Sequence, residues 1–183
     1  MANIYKQTAN MLGMDEYLSA YRTKPSDNEP SLQILLEDLG YDFRRDNNNN
    51  IIGMQKSPDV NLPKLTSVLD AYRHAAFSAI ESNKRGSTMA ALLGTGKEVK
   101  DALSFGKGII TGRNEISNIP KYMEASGTDF YNNKLGRKFS ATKSDALKEL
   151  NKVFVNQLKK MQEEGPNFKF TENVDFKFAD QSY

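Results

Sequence analysis

Residues 64–83 have the sequence KLTSVLDAYRHAAFSAIESN, and this stretch decides the fold class. Its apolar side chains return every three or four residues, the spacing that places them along one face of an α-helix. They are Leu65, Leu69, Tyr72, Ala76 and Ile80. We therefore predict one long helix here, with this face buried in the core.

Residues 144–164 repeat the helical period more clearly. Ser144 is a suitable N-cap, and Gly165 followed by Pro166 ends a helix. The inward positions are Leu147, Leu150, Phe154, Leu158 and Met161. This segment predicts the second main helix of the fold.

Shorter helices are predicted in the rest of the chain from the same period and from capping residues. Gly94 and Gly96 are expected to interrupt one of them, because glycine is a poor helix former. The predicted ranges are two short helices within 4–21, then 31–39, 88–93, 97–105 and 128–138, with a Gly-rich loop over 106–112.

Two segments favour β-structure. Residues 41–55 surround the run Asn47 to Asn50, which suits a turn, and predict a small hairpin. In residues 167–183, apolar side chains alternate with polar ones, as they do in strands. This tail predicts a short C-terminal β-hairpin, or an arm that pairs with the sheet edge of a phage or cell-envelope partner.

The length of 183 residues predicts a single, mainly α-helical domain. Within it, residues 1–60 hold the N-terminal helices and hairpin, residues 64–164 the helical core, and residues 167–183 the hairpin or arm. No stretch has the roughly 18 apolar residues of a membrane span, and residues 1–10 lack a signal-peptide core. We expect synthesis in the cytoplasm; virion association or export without a signal peptide are the alternatives.

Composition narrows the possible chemistry. The chain has no cysteine and one histidine, which excludes disulfides, thiolate metal sites and two-histidine sites. Its net charge is only +2, but residues 97–160 carry 13 basic and 7 acidic side chains. This basic middle would attract phosphate, yet solvated lysine-rich helices explain it better, so nucleic acid is a weakly supported partner.

Two rows of polar side chains mark the candidate site. Asp70, Arg73 and His74 have the spacing i, i+3, i+4, which brings them together on one helix face. The second row has the same spacing, with one further residue a turn later: Asp129, Asn132, Asn133 and Arg137. A carboxylate can orient an imidazole, and amides both donate and accept, so the rows predict one polar site between two helices. A buried polar network without chemistry is the alternative.

These blocks also carry a resemblance. DAYRHA at 70–75 and TDFYNNKLGR at 128–137 resemble an uncharacterised domain family of bacterial secreted or toxin-like proteins and phage proteins. Its pattern is Asp-Ala-x-Arg-His-Ala, then His-Glu, then Asp-x-x-Asn-Asn-x-x-Gly. Lys97 and Glu98 stand where the family has His-Glu, so this chain keeps the carboxylate and lacks the second histidine. The resemblance implies a shared site and does not name a reaction.

The first functional hypothesis is a hydrolase of phage or bacterial type, with a cell-envelope or nucleic-acid substrate. His74 is the candidate general acid or base, and Asp70 or Glu98 would orient it, with Arg73 steadying a carboxylate or a substrate anion. The substrate-binding candidates are Asp129, Asn132, Asn133 and Arg137. A cation held by Asp129, Glu98 and amide oxygens would be Mg²⁺, Ca²⁺ or Mn²⁺ and not Zn²⁺, because soft ligands are lacking.

The second hypothesis is a non-catalytic phage virion or ejection protein, in which the same residues lock helices together. A solvent-accessible cleft at His74 would favour the hydrolase, and complete burial with every polar atom paired would favour the structural protein.

Overall fold

The computed structural model describes residues 32–45, 47, 51–56, 62–142 and 146–179, and the predicted mainly helical character is confirmed. The two short helices predicted within residues 4–21 lie outside this part. The elements in chain order are α1 (Leu32–Asp38), β1 (Asp42–Arg45), β2 (Ile51–Lys56), α2 (Leu65–Arg85), α3 (Ser87–Ile110), α4 (Ile119–Thr142) and α5 (Ala146–Glu164), with 3₁₀ turns at Ile116–Asn118 and Gly165–Asn167.

The core lies between α2 and α5, the two helices with the clearest period. Leu150, Phe154 and Leu158 of α5 are fully buried, as predicted, and Tyr72 of α2 packs its ring 5.2 Å from that of Phe154. The Tyr72 hydroxyl donates a hydrogen bond to the side-chain oxygen of Asn151. The apolar faces of the two helices therefore meet as amphipathic helices should.

Helices α2 and α4 pack closely because small residues line their contact. A Cβ atom at Gly136 would overlap the backbone carbonyl of Ala75, so only glycine fits this position. Ala71 and Ala79, one turn on either side of Ala75, are also buried. The close approach brings the polar residues of α4 against α2.

The predicted hairpin at residues 41–55 is present as an antiparallel pair of strands. Asp42 of β1 lies opposite Lys56 of β2, and Arg45 lies opposite Ile51. The Tyr41 hydroxyl, just before β1, donates a hydrogen bond to the Pro63 carbonyl at 3.0 Å. This contact joins the start of the hairpin to the segment that leads into α2.

The predicted interruption of the third helix is wrong, because α3 runs unbroken through both Gly94 and Gly96. Gly94 is buried, and a Cβ there would lie 3.4 Å from the side-chain nitrogen of Asn133. Helix packing therefore offsets the low helix propensity of glycine. The predicted Gly-rich loop is correspondingly shorter, since α3 extends to Ile110. Helix α4 is likewise longer than the predicted 128–138.

The predicted C-terminal β-hairpin is absent from the described tail, residues 168–179. Two side-chain amides pair with the tail backbone instead. Gln157 accepts from the N–H of Phe176 at 2.7 Å and donates to its carbonyl at 2.9 Å. Asn132 does the same for Lys177, at 3.1 and 2.9 Å. The alternating pattern thus belongs to a segment that turns at residues 171–175 and packs on its own chain.

None of the described helices combines the length and the apolar character that crossing a bilayer requires. This agrees with the absence of an apolar run in the sequence.

Candidate functional site

The two predicted polar rows meet around His74, which lies between α2, α3 and α4 and is only 2% exposed. Its Nε2 atom lies 3.4 Å from Oδ1 of Asp129 on α4 and 3.8 Å from Oδ1 of Asp70 on α2. Its Nδ1 atom lies 3.8 Å from Oε1 of Glu98 on α3. The contact between the rows that the spacing predicts is therefore confirmed. We call these four residues the His74 cluster.

Two cationic side chains form the solvent-facing edge of the cluster. Arg73 makes an ion pair with Asp70, and its Nη2 atom lies 3.3 Å from Nε2 of His74. The Lys97 ammonium lies 3.7 Å from Oε1 of Glu98 and 3.0 Å from Asp101. Each of these two side chains is about one-third exposed, whereas His74 and Glu98 are buried. Solvent therefore reaches the cluster at a positively charged edge.

Burial sets the protonation of the cluster. It lowers the pKa of His74 from 6.5 to about 2, helped by the nearby charges of Lys97 and Arg73. Burial also raises the pKa of Asp129 from 3.8 to about 8, together with the negative charges of Asp70 and Glu98. The pKa of Glu98 is raised by burial as well. At neutral pH the cluster therefore holds a neutral imidazole and a protonated Asp129.

These shifts predict how stability depends on pH. The unfolded chain releases the Asp129 proton near pH 3.8, but the folded protein keeps it to about pH 8, so this group lowers stability as the pH rises through that range. His74 acts in the opposite direction between about pH 2 and pH 6.5, where the unfolded chain binds the proton. The two effects oppose each other in mildly acidic solution, and only that of Asp129 remains between pH 6.5 and about pH 8.

We therefore expect the free energy of unfolding to fall between pH 6.5 and pH 8, by at most about 1.4 kcal/mol per pH unit. Urea denaturation in EDTA-containing buffers would measure this. The charged groups that act on Asp129 are Asp70 from α2 and Glu98 and Lys97 from α3, and Arg73 of α2 pairs with Asp70. A free energy of unfolding that stayed level over this interval would show that Asp129 is already ionised in the folded protein, next to these two cations.

The three remaining predicted site residues, all on α4, have different surroundings. Asn133 lies beside the cluster, where its oxygen accepts a hydrogen bond from the Ser78 hydroxyl at 2.9 Å. Asn132 points to the tail, and both ends of its amide pair with the Lys177 backbone. Arg137 is half-buried, and it makes no hydrogen bond or ion pair with the described residues. Of the amides, only Asn133 stands at the cluster.

Sequence reasoning missed Ser78 and Gln157. Ser78 lies one turn after His74 and is fully buried, so its spacing could have added it to the first row. Gln157 lies on the predicted buried side of α5, and its role depends on a tail conformation that no local pattern indicates. Neither residue changes the composition of the His74 cluster.

Comparisons with known proteins provide no template for this geometry. No protein-family model matches the chain, and neither a curated protein nor a solved structure matches it. The resemblance to the bacterial and phage domain family stays a hypothesis that rests on the two sequence blocks.

Proposed function

We propose that the chain is a hydrolase whose active centre is the His74 cluster. The observation that carries this proposal is the grouping of three carboxylates around one neutral imidazole, with two cations at the accessible edge. Glu98, whose pKa is raised, can take up the proton that a water molecule loses when it attacks a substrate, and the protonated Asp129 can give a proton to the leaving group. Arg73 and Lys97 would stabilise the negative charge that the attack creates.

A groove on the side of α2 and α4 that faces the tail could hold an extended substrate. It has a volume of about 890 Å³ and runs between the start of α2, the middle of α4 and the tail. Ser67 lines it one turn before Asp70, and Thr128 lines it next to Asp129. Asp70 and Asp129 do not themselves line the groove, because Asp129 points about 100° away from Thr128 on α4. The resemblance to bacterial and phage proteins makes a cell-envelope polymer or a nucleic acid the substrate to test.

The test is release of soluble fragments from purified peptidoglycan and from single- and double-stranded nucleic acid. We expect one of these polymers to be cleaved, and Lys97→Ala to slow cleavage at least about tenfold, chiefly through kcat. Lys100→Ala removes an exposed charge one turn further along α3 and should cleave like the parent. If both lysine variants lost the same fraction of the cleavage rate, the effect would come from surface charge in general and would contradict a specific role for Lys97. If no polymer were cleaved, the proposed hydrolase would be contradicted.

A second candidate is the non-catalytic phage virion or ejection protein. The burial of His74 and the internal bonds of Asn132 and Asn133 favour it, because groups used this way join helices. One atom does not fit: Oε1 of Glu98 is buried without a hydrogen bond among the described residues. A purely structural network would be expected to pair it.

A further inference from the structure

We propose that the His74 cluster binds one divalent cation through Asp70, Nε2 of His74 and Asp129. The three donor atoms all lie within 4.8 Å of one another, and Nε2 is 3.4 and 3.8 Å from the two carboxylate oxygens. Neighbouring ligands about 2.1 Å from a six-coordinate ion lie about 3 Å apart. Shifts of a few tenths of an ångström would therefore complete the site.

Glu98 provides an observation that is independent of the two aspartates. It is 4% exposed, and its Oε1 atom has no hydrogen bond among the described residues although it lies 3.8 Å from Nδ1 of His74. Histidine ligands usually donate their second ring N–H to a carboxylate, which fixes the ring and leaves the other nitrogen for the metal. Glu98 is in the position of that outer carboxylate.

Arg73 shows where positive charge is needed. Its guanidinium pairs with Asp70 and lies 3.3 Å from Nε2 of His74, so it faces the same atoms that would hold the cation. A ring nitrogen that accepts from Arg73 has its lone pair directed at this point. Because the Arg73 side chain is about one-third exposed, it can swing outward when a cation enters. The guanidinium and the cation therefore compete for one position.

The donor set narrows the class of ion. Ca²⁺ and Mg²⁺ take oxygen ligands in proteins, so an imidazole among three ligands disfavours both. Two carboxylates for one imidazole favour an ion that prefers oxygen and tolerates nitrogen, and Mn²⁺ is such an ion. This choice is narrower than the three ions that the sequence allows. A cation there would also acidify a bound water, which links the site to the proposed hydrolysis.

Only the part that the cation plays in hydrolysis rests on the proposed function. Binding of the cation can be measured without a substrate. Chain freed of metal with EDTA would be titrated with Mn²⁺ and followed by electron paramagnetic resonance. We expect one ion per chain, and Asp129→Asn should weaken binding at least about 100-fold. Asp101→Asn removes a nearby exposed carboxylate of α3 and should bind like the parent. Circular dichroism of each variant would verify that it is folded.

Two further variants test the outer carboxylate and the competing cation. Glu98→Gln should weaken Mn²⁺ binding about 10- to 100-fold, as loss of an outer carboxylate does at other metal sites. Arg73→Gln should bind Mn²⁺ several-fold more tightly, because the competing guanidinium is removed. A variant that only loosened the fold would not gain affinity. No bound Mn²⁺, or equal binding by the Asp129 and Asp101 variants, would overturn the cation site. Hydrolysis that survived EDTA would show that the cation has no part in the reaction, and it would support the proposed hydrolase. Mn²⁺ binding without hydrolysis of any polymer would support the cation site and contradict the proposed hydrolase.

Discussion

Asp129→Asn is expected to lower the rate of hydrolysis at least about 100-fold, the smaller end of what positioned proton-transfer groups contribute. The same substitution should raise the free energy of unfolding above neutral pH. The folded protein resists ionisation of Asp129, whose pKa is raised to about 8 by burial and by the charges of Asp70 and Glu98. Asparagine keeps the shape of the side chain and removes the group that must lose a proton.

Initial rates on the polymer that the parent cleaves, with urea denaturation at about pH 8.5, would measure both effects. Asp101→Asn is the matched control, since that carboxylate is 47% exposed and pairs only with Lys97 among the described residues. Parent-like rates for Asp129→Asn would remove the cluster from the reaction. A lower free energy of unfolding at that pH would mean that Lys97 stabilises the ionised Asp129.

Phe154→Ala is expected to destabilise the protein by about 3 to 5 kcal/mol, the usual cost of removing a buried phenylalanine ring. The ring is fully buried, and its centroid lies 5.2 Å from Tyr72, 4.7 Å from Phe176 and 6.1 Å from Phe178. These neighbours come from α2 and from the tail, so the cavity would lie where three segments meet.

Urea denaturation would measure the change in the free energy of unfolding, and Lys152→Ala, an exposed position on the same helix, is the control. Activity per folded molecule should be unchanged in both variants, because α5 carries no residue of the His74 cluster. A loss below about 1 kcal/mol would show that the tail and α2 collapse into the space.

The long helices could be predicted from the sequence because one period governs their whole length. The apolar face of α5 survives in the structure residue by residue, and Leu150, Phe154 and Leu158 are all fully buried. Gly94 could not be assigned in this way. Its place inside a helix depends on Asn133, which lies 39 positions later in the chain and contacts it across α3 and α4. Local propensity contains no information about such a contact.

The candidate site shows the same division. Spacing brought Asp70, Arg73 and His74 together, and it aligned them with Asp129. The spacing could not predict that Asn132 and Asn133 have different partners. The two side chains differ in direction by about 100° on a helix of 3.6 residues per turn. That rotation turns Asn133 to Ser78 and Asn132 to the backbone of Lys177. The neighbours on each side decide the roles of the two amides.

The hydrogen bonds of Asn132 and Gln157 to the tail also set the order in which contacts can form during synthesis. Phe176 and Lys177 follow α5 in the chain, so a growing chain has α2, α4 and α5 before it has the segment that these amides bind. Until then, the two amides lack the backbone partners that they have in the folded protein. The rings of Tyr72 and Phe154 also lack Phe176. Helix α4, which carries Asp129, thus gains its bonds to the tail only after Lys177 has been made, so a chain cut short before residue 176 leaves the cluster on an unfinished core.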